Sequence, residues 1–132
     1  MSQENVDDYR RSCEAWTQGD REAWLSDIPA DWEFRATGAF LGVQGDYRGR
    51  DGAIRLWNDM RGPWQEFSIH IERIEDLGDR VLALVTFAVT GRDGLETSRP
   101  WAHVVTYRDG RGTATANYES WEAALKAVGL EE

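Results

Sequence analysis

Between Glu66 and Tyr118 the chain is written in strand-length pieces divided by turn signals, and this run constrains the fold more than any other feature. "EFSIHIERIE" alternates, with Phe67, Ile69 and Ile71 on one face and Ser68, His70 and Glu72 on the other. "DLGD" at Asp76 to Asp79 turns the chain into "RVLALVTFAVTG", which is apolar on both sides, as a strand covered on both faces is. "GRDG" at Gly91 to Gly94 turns it again into "ETSRPWAHVVTY", and "RDG" leads to a last strand, "GRGTATANYES". That last strand is small and polar where bulky apolar side chains are expected. The whole reads as a four-strand antiparallel meander that must bury a face against something else.

The preceding residues supply that partner. Val6, Tyr9, Cys13 and Trp16 recur at helical spacing, so they form one face of an opening helix that Ser2 can cap, with Cys13 a packed core thiol. Gly19 stops it and Asp20 caps "REAWLSDI", with Ala23, Trp24 and Ile28 inward until Pro29. "DWEFRATGAF" alternates as a half-buried strand, Trp32 and Phe34 on one side and Asp31, Glu33 and Arg35 on the other. After a glycine-rich loop, Asp51 caps a third helix carrying Ile54, Trp57 and Met60, which "RGP" ends. Ser120 caps a closing helix that Gly129 ends. The predicted order is ααβα, a meander and a tail helix: an α+β fold in which a curved antiparallel sheet wraps over helices, with residues 1–132 as one domain.

Composition narrows the partners. A formal net charge of −9 repels phosphate backbones and anionic lipid, which argues against nucleic acid and membrane surfaces. "MSQENVDDYRR" lacks the basic-then-apolar plan of a signal peptide and no apolar run reaches membrane-span length, so a soluble cytoplasmic protein is expected. One cysteine and two separated histidines provide neither an internal disulfide nor a metal site. Seven Trp, four Tyr and four Phe make an aromatic-walled interior or pocket the expectation.

Several words of the sequence, in order along nearly the whole chain, resemble the SnoaL-like branch of the nuclear-transport-factor-2-like superfamily. They are "WTQGDREAWL", "ADWEFR", "YRGRDGAIRLW", "EDLGDRVLALV", "AHVVTYRDGR" and "YESWEAALKAVGL". The resemblance implies a cone of curved sheet closed by three N-terminal helices around an apolar cavity, and a homodimer through the outer face of the sheet. Its members include isomerases, cyclases, dehydratases, hydrolases and proteins without catalysis, so fold alone does not give function.

Carried across residue by residue, the ketosteroid isomerase pattern mostly fails. Its general-base aspartate falls at Phe34, its first-helix tyrosine near Ser12 and its oxyanion-hole aspartate at His103. The final-strand carboxylate of limonene epoxide hydrolase falls at Asn117, an amide that orients but takes no proton.

Two registers are open for the last hairpin. A two-residue turn at Asp109 and Gly110 sets His103 opposite Ala116; a three-residue loop that adds Arg111 sets it opposite Asn117. The second is favoured, because it puts Trp101, His103, Val105 and Tyr107 on one face with Thr113, Thr115 and Asn117, the face the family uses for its cavity. The candidate catalytic set is then His103 as acid or base, Asn117 orienting, and Tyr107 or Ser12 donating to a developing oxyanion, without a cofactor. Trp16, Trp32, Phe34, Trp57, Trp64 and Phe67 are the expected apolar walls, with Ser12, Trp101, Val105, Thr113 and Thr115 completing the ligand site for a small hydrophobic molecule. A binding module without chemistry uses the same pocket, and a purely structural dimer needs no pocket at all. His70 reads as a surface histidine and Glu33 as structural, facing away from the cavity and open to an arginine of "YRGR".

Overall fold

A computed structural model describes residues 2–36, 43 and 45–130. Helix α1 (Ser2–Gln18) and the short α2 (Arg21–Leu25) precede strand β1 (Glu33–Ala36). Strand β2 (Asp46–Arg48) and helix α3 (Gly49–Arg61) follow, then β3 (Glu66–Asp76), β4 (Arg80–Thr90), β5 (Glu96–Arg108), β6 (Arg111–Tyr118) and helix α4 (Trp121–Ala127). The six strands form one curved sheet in the order β2-β1-β6-β5-β4-β3. The predicted meander is β3 to β6. The three-residue β2 was not visible as a strand in the sequence, and β1 joins β6 in parallel, so the sheet is mixed rather than wholly antiparallel. The loop read at residues 37–42 and 44, and the side chain of Ser2, lie outside what is described.

The sheet has two differently used faces. Val81, Ala83, Val85, Phe87 and Val89 alternate inward along β4 and pack with Trp101, Val105 and Tyr107 of β5 against α1, α2 and α3. Leu82, Ala102 and Val104 point the other way and lie under Trp121, Ala124 and Leu125 of α4. This explains why β4 is apolar throughout: both faces are covered. On β3 a bulge between Ile71 and Arg73 resets the alternation, so that Ile74 returns to the inner face with Ile69 and Ile71.

The helix ends refine the expected boundaries. Asp20 and Ser120 cap as read, accepting from the backbone N–H of Ala23 and Ala123. Asp51 does not cap α3; that helix begins two residues earlier, at Gly49, and Asp51 sits in its first turn. Gly52 lets α3 pass close over β2, since a Cβ there would lie 3.0 Å from the Tyr47 carbonyl carbon. Arg61 closes the C-terminus of α1 from α3, its Nε donating to the Trp16 carbonyl at 2.8 Å and its Nη2 to that of Thr17 at 3.3 Å. Those bonds fix α1 across the sheet and, with it, the side chains that meet β5. Arg48 stands opposite Glu33 in the β1–β2 ladder, and its Nη2 lies 3.9 Å from Asp46 Oδ2. No helix among the described residues is long and apolar enough to cross a membrane.

Candidate functional site

The last hairpin determines what faces the interior. Asp109 (φ 54°) and Gly110 (φ 78°) both take left-handed backbone, as a type I′ two-residue turn demands, and Arg108 pairs with Arg111. That turn alone would set His103 opposite Ala116. Past the turn, however, the ladder steps from Tyr107–Gly112 to Thr106–Ala114, leaving Thr113 as an extra residue. His103 therefore stands opposite Asn117, the favoured register, reached by a tight turn plus a bulge rather than by a three-residue loop. Thr113 is spent on the bulge: its hydroxyl donates to the Thr106 carbonyl at 3.3 Å.

A cavity of about 210 Å³ lies between α1, α2, the strand β1 and the inner face of β5 and β6. Of the residues singled out in the sequence, Ser12, Trp16, Trp32, Phe34, His103, Val105, Tyr107 and Thr115 line it. Trp57 and Phe67 do not reach it but back its wall, each packed on Trp16, with ring centroids 4.4 and 5.8 Å away. Trp64, Trp101, Thr113 and Asn117 are not among the lining residues. Asn117 is 1% exposed and stands opposite His103 in the ladder. The small last strand now has a partial explanation: Gly112 and Thr115 form cavity wall where larger side chains would fill it.

Two polar pairs interrupt the aromatic lining. On the floor, the Tyr9 hydroxyl is 2.9 Å from Nδ1 of His103, and the edge of Phe87 closes the other side of the imidazole, with centroids 5.9 Å apart. Burial alone pushes the His103 imidazolium down to about 4, so the ring is neutral at pH 7. Its Nε2 is buried without a hydrogen-bond partner among the described residues. The Cys13 thiol lies beside the Tyr9 hydroxyl, and burial raises both, the thiol to about 12. This end of the site stays uncharged through the physiological range.

The second pair is ionisable. Asp8, with its side chain 15% exposed, lines the cavity with Tyr107, whose hydroxyl favours its carboxylate, and meets Arg11 Nη2 at 3.5 Å. Burial, reinforced by the neighbouring Asp27 carboxylate, raises Asp8 above the ordinary carboxyl range, against the opposing pull of Arg11 and Tyr107. Burial and the Asp8 charge likewise raise Tyr107, so its hydroxyl keeps its proton. Arg11 and Asp27 line the cavity and are exposed, which marks this end as the mouth.

Sequence reasoning left out Asp8 and read Tyr9 only as core. Asp8 stands one helical turn before Ser12, on the same stripe of α1, so the spacing that brings Ser12 to the cavity brings Asp8 as well. The signal for Tyr9 was chemical: a hydroxyl on an apolar helix face needs a buried partner.

With this geometry in hand, the comparisons are consistent. The SnoaL-like domain family matches residues 9–114, which is most of the chain. The chain belongs to that family. No curated protein matches the sequence significantly. Among solved structures, a Burkholderia pseudomallei NTF2-like protein of unknown function is 20% identical, with a TM-score of 0.77 over 93% of this chain and 95% of that one. A Catenulispora acidiphila protein with a ketosteroid isomerase-like fold, in complex with trimethylamine, is 18% identical, with a TM-score of 0.70 over 89% and 88%. A Mycobacterium tuberculosis protein in complex with estradiol-17β-hemisuccinate is 14% identical, with a TM-score of 0.75 over 89% and 94%. At these identities the likeness is one of fold, and this SnoaL-like domain must be read from its own lining.

Proposed function

We propose that this SnoaL-like domain binds a small, flat, largely apolar molecule and moves a proton on it without a cofactor. Asp8 is the acid–base group, Tyr107 tunes it by donating to its carboxylate, and His103 is the hydrogen-bond donor to the ligand. The observation that carries the reading is the Asp8–Tyr107 pair at the mouth of an otherwise aromatic cavity. A carboxyl whose proton affinity is raised by burial is nearer in strength to the carbon acids and leaving groups it must serve, which is how enzymes tune such groups. Asp8 occupies neither carboxylate position of the relatives considered above, so the departures at Phe34 and Asn117 do not empty the site of acid–base chemistry.

His103 takes a different part from the acid or base first assigned to it. Its Nδ1 is engaged by Tyr9, and an imidazolium lowered to about 4 is a weak base at neutral pH. With Tyr9 donating to Nδ1, the ring proton sits on Nε2 and serves a carbonyl or similar acceptor on the ligand. Asn117, opposite His103 in the ladder, flanks it on the neighbouring strand. Size limits the ligand: an apolar cavity of about 150 Å³ accepts benzene, so about 210 Å³ accepts one ring with short substituents rather than a steroid. The trimethylamine and estradiol-ester complexes of the two relatives show the range this fold accommodates, and this chain falls toward the small end.

A homodimer through the outer sheet face belongs to the same proposal, as does a cytoplasmic location. Helix α4 already covers Leu82, Ala102 and Val104 there, which leaves the β3 side for a partner.

The test uses a probe of the right size. Acetophenone, one ring bearing a carbonyl with adjacent C–H bonds, is incubated with the protein in D2O, and methyl deuteration is followed by NMR. Catalysed exchange that falls at least about 100-fold in Asp8→Asn supports the assignment. Exchange that survives that substitution removes Asp8 from the role. Binding without exchange by the wild-type protein replaces catalysis with the binding-module reading, which the locked, neutral His103 would also suit.

A further inference from the structure

The charge pattern at the mouth goes beyond a neutral apolar ligand. Three charged side chains line the cavity, Asp8 and Arg11 of α1 and Asp27 after α2, and their sum is one negative charge. Arg11 is 66% exposed and turned to Asp8, and Tyr107 also engages Asp8. Asp27 has no ion-pair partner among the described residues, yet it is close enough to Asp8 for their repulsion to be felt. Below this rim the wall consists of Trp16, Trp24, Trp32 and Phe34, whose ring faces attract cations as well as apolar groups. The buried, partnerless Nε2 of His103 in the same lining points independently to a bound molecule. A chain of net charge −9 also concentrates cations near every such opening.

We propose that the molecule taken by this cavity is a monocyclic organic cation, its ring among the tryptophans and its protonated or quaternary amine nitrogen at the mouth beside Asp27. The inference rests on the small-molecule reading of the same cavity and adds the sign of the ligand's charge. Asp27 supplies the counter-charge, while Asp8, already held by Tyr107 and Arg11, stays available for proton transfer. An anionic ring compound such as a benzoate meets uncompensated repulsion at the same rim and is excluded.

An isosteric pair separates shape from charge. Phenyltrimethylammonium and tert-butylbenzene have the same framework and differ by a nitrogen cation in place of a carbon. Binding of each to the full chain is measured by tryptophan fluorescence and calorimetry at low and high salt. The expected result is about tenfold tighter binding of the cation at low salt, an advantage that salt reduces. Asp27→Asn should abolish most of that advantage while leaving tert-butylbenzene binding unchanged. Equal or tighter binding of tert-butylbenzene overturns the cation assignment and leaves the small-molecule pocket standing. Failure of both probes to bind overturns the pocket reading at this size, and the inference with it.

Discussion

The two tyrosine pairs of the cavity share a plan but not a chemistry. Tyr9 of α1 meets His103 of β5, and Tyr107 of β5 meets Asp8 of α1, so each pair crosses the same helix–strand contact in opposite senses. Their strand residues are four positions apart on β5; His103 is buried while Asp8 neighbours the exposed Arg11 and Asp27, so one pair sits on the floor and the other at the mouth. Burial acts on both. On the floor it drives the ionisable group to its neutral form, because an imidazolium has no counter-charge there. At the mouth it is opposed by Arg11 and a phenolic donor, which keep a carboxylate within reach of its proton. The same desolvation therefore builds a fixed dipole at one end and a titrating group at the other.

The largest expected effect falls on the floor. His103 is lowered from 6.5 to about 4 in the folded state, so the unfolded chain binds a proton between those values that the folded chain does not. Its contribution is complete above pH 6.5 and is lost as pH falls toward 4, a change on the order of 3 kcal/mol. Chemical denaturation across that interval should show the wild-type protein losing stability more steeply than His103→Gln. Parallel curves would mean that His103 is solvated and the floor is not dry.

Next in size is Tyr9→Phe. The substitution keeps the ring and removes the hydroxyl that bonds His103 Nδ1. A buried acceptor left unpaired costs about 1–3 kcal/mol, seen as a lower denaturant midpoint at unchanged slope. If the midpoint holds, the ring has turned to another partner and the two ends of the cavity are less distinct than the geometry indicates.

The fold was legible because its signals are local and repeated. Turn words set the meander, the Asp20 and Ser120 caps set two helix starts, and the family words agreed with both. What escaped were features that depend on distant contacts. The β2 strand is three residues long, too short to alternate, and exists through its pairing with β1. The bulge at Thr113 is silent in a sequence where Thr is an ordinary strand residue, yet it decides that His103 faces Asn117 and that Thr113 leaves the site. Phe34, His103, Val105 and Tyr107, half of the lining residues read from the sequence, came from β1 and β5, where alternation is explicit. On α1, one stripe carries Asp8, Ser12 and Trp16 at spacings of four, and apolar periodicity alone selects Trp16 and passes over the acid.

The smallest effect, Tyr107→Phe, tests the mouth without dismantling it. The Tyr107 hydroxyl lowers Asp8 by donating to the carboxylate, whereas burial and Asp27 raise it, so removing the donor leaves the raising influences less opposed. Asp8 must be ionised to accept a proton, hence the rate of exchange rises with pH through its folded-state value. The mutant profile should move to higher pH, with the plateau reduced by no more than about tenfold and stability changed by about 1 kcal/mol. A substitution that lowers the plateau without moving the profile would make Tyr107 a donor to the substrate instead. The mouth would then resemble the floor, two neutral donors facing one ligand, and the proton would have to be taken by another group.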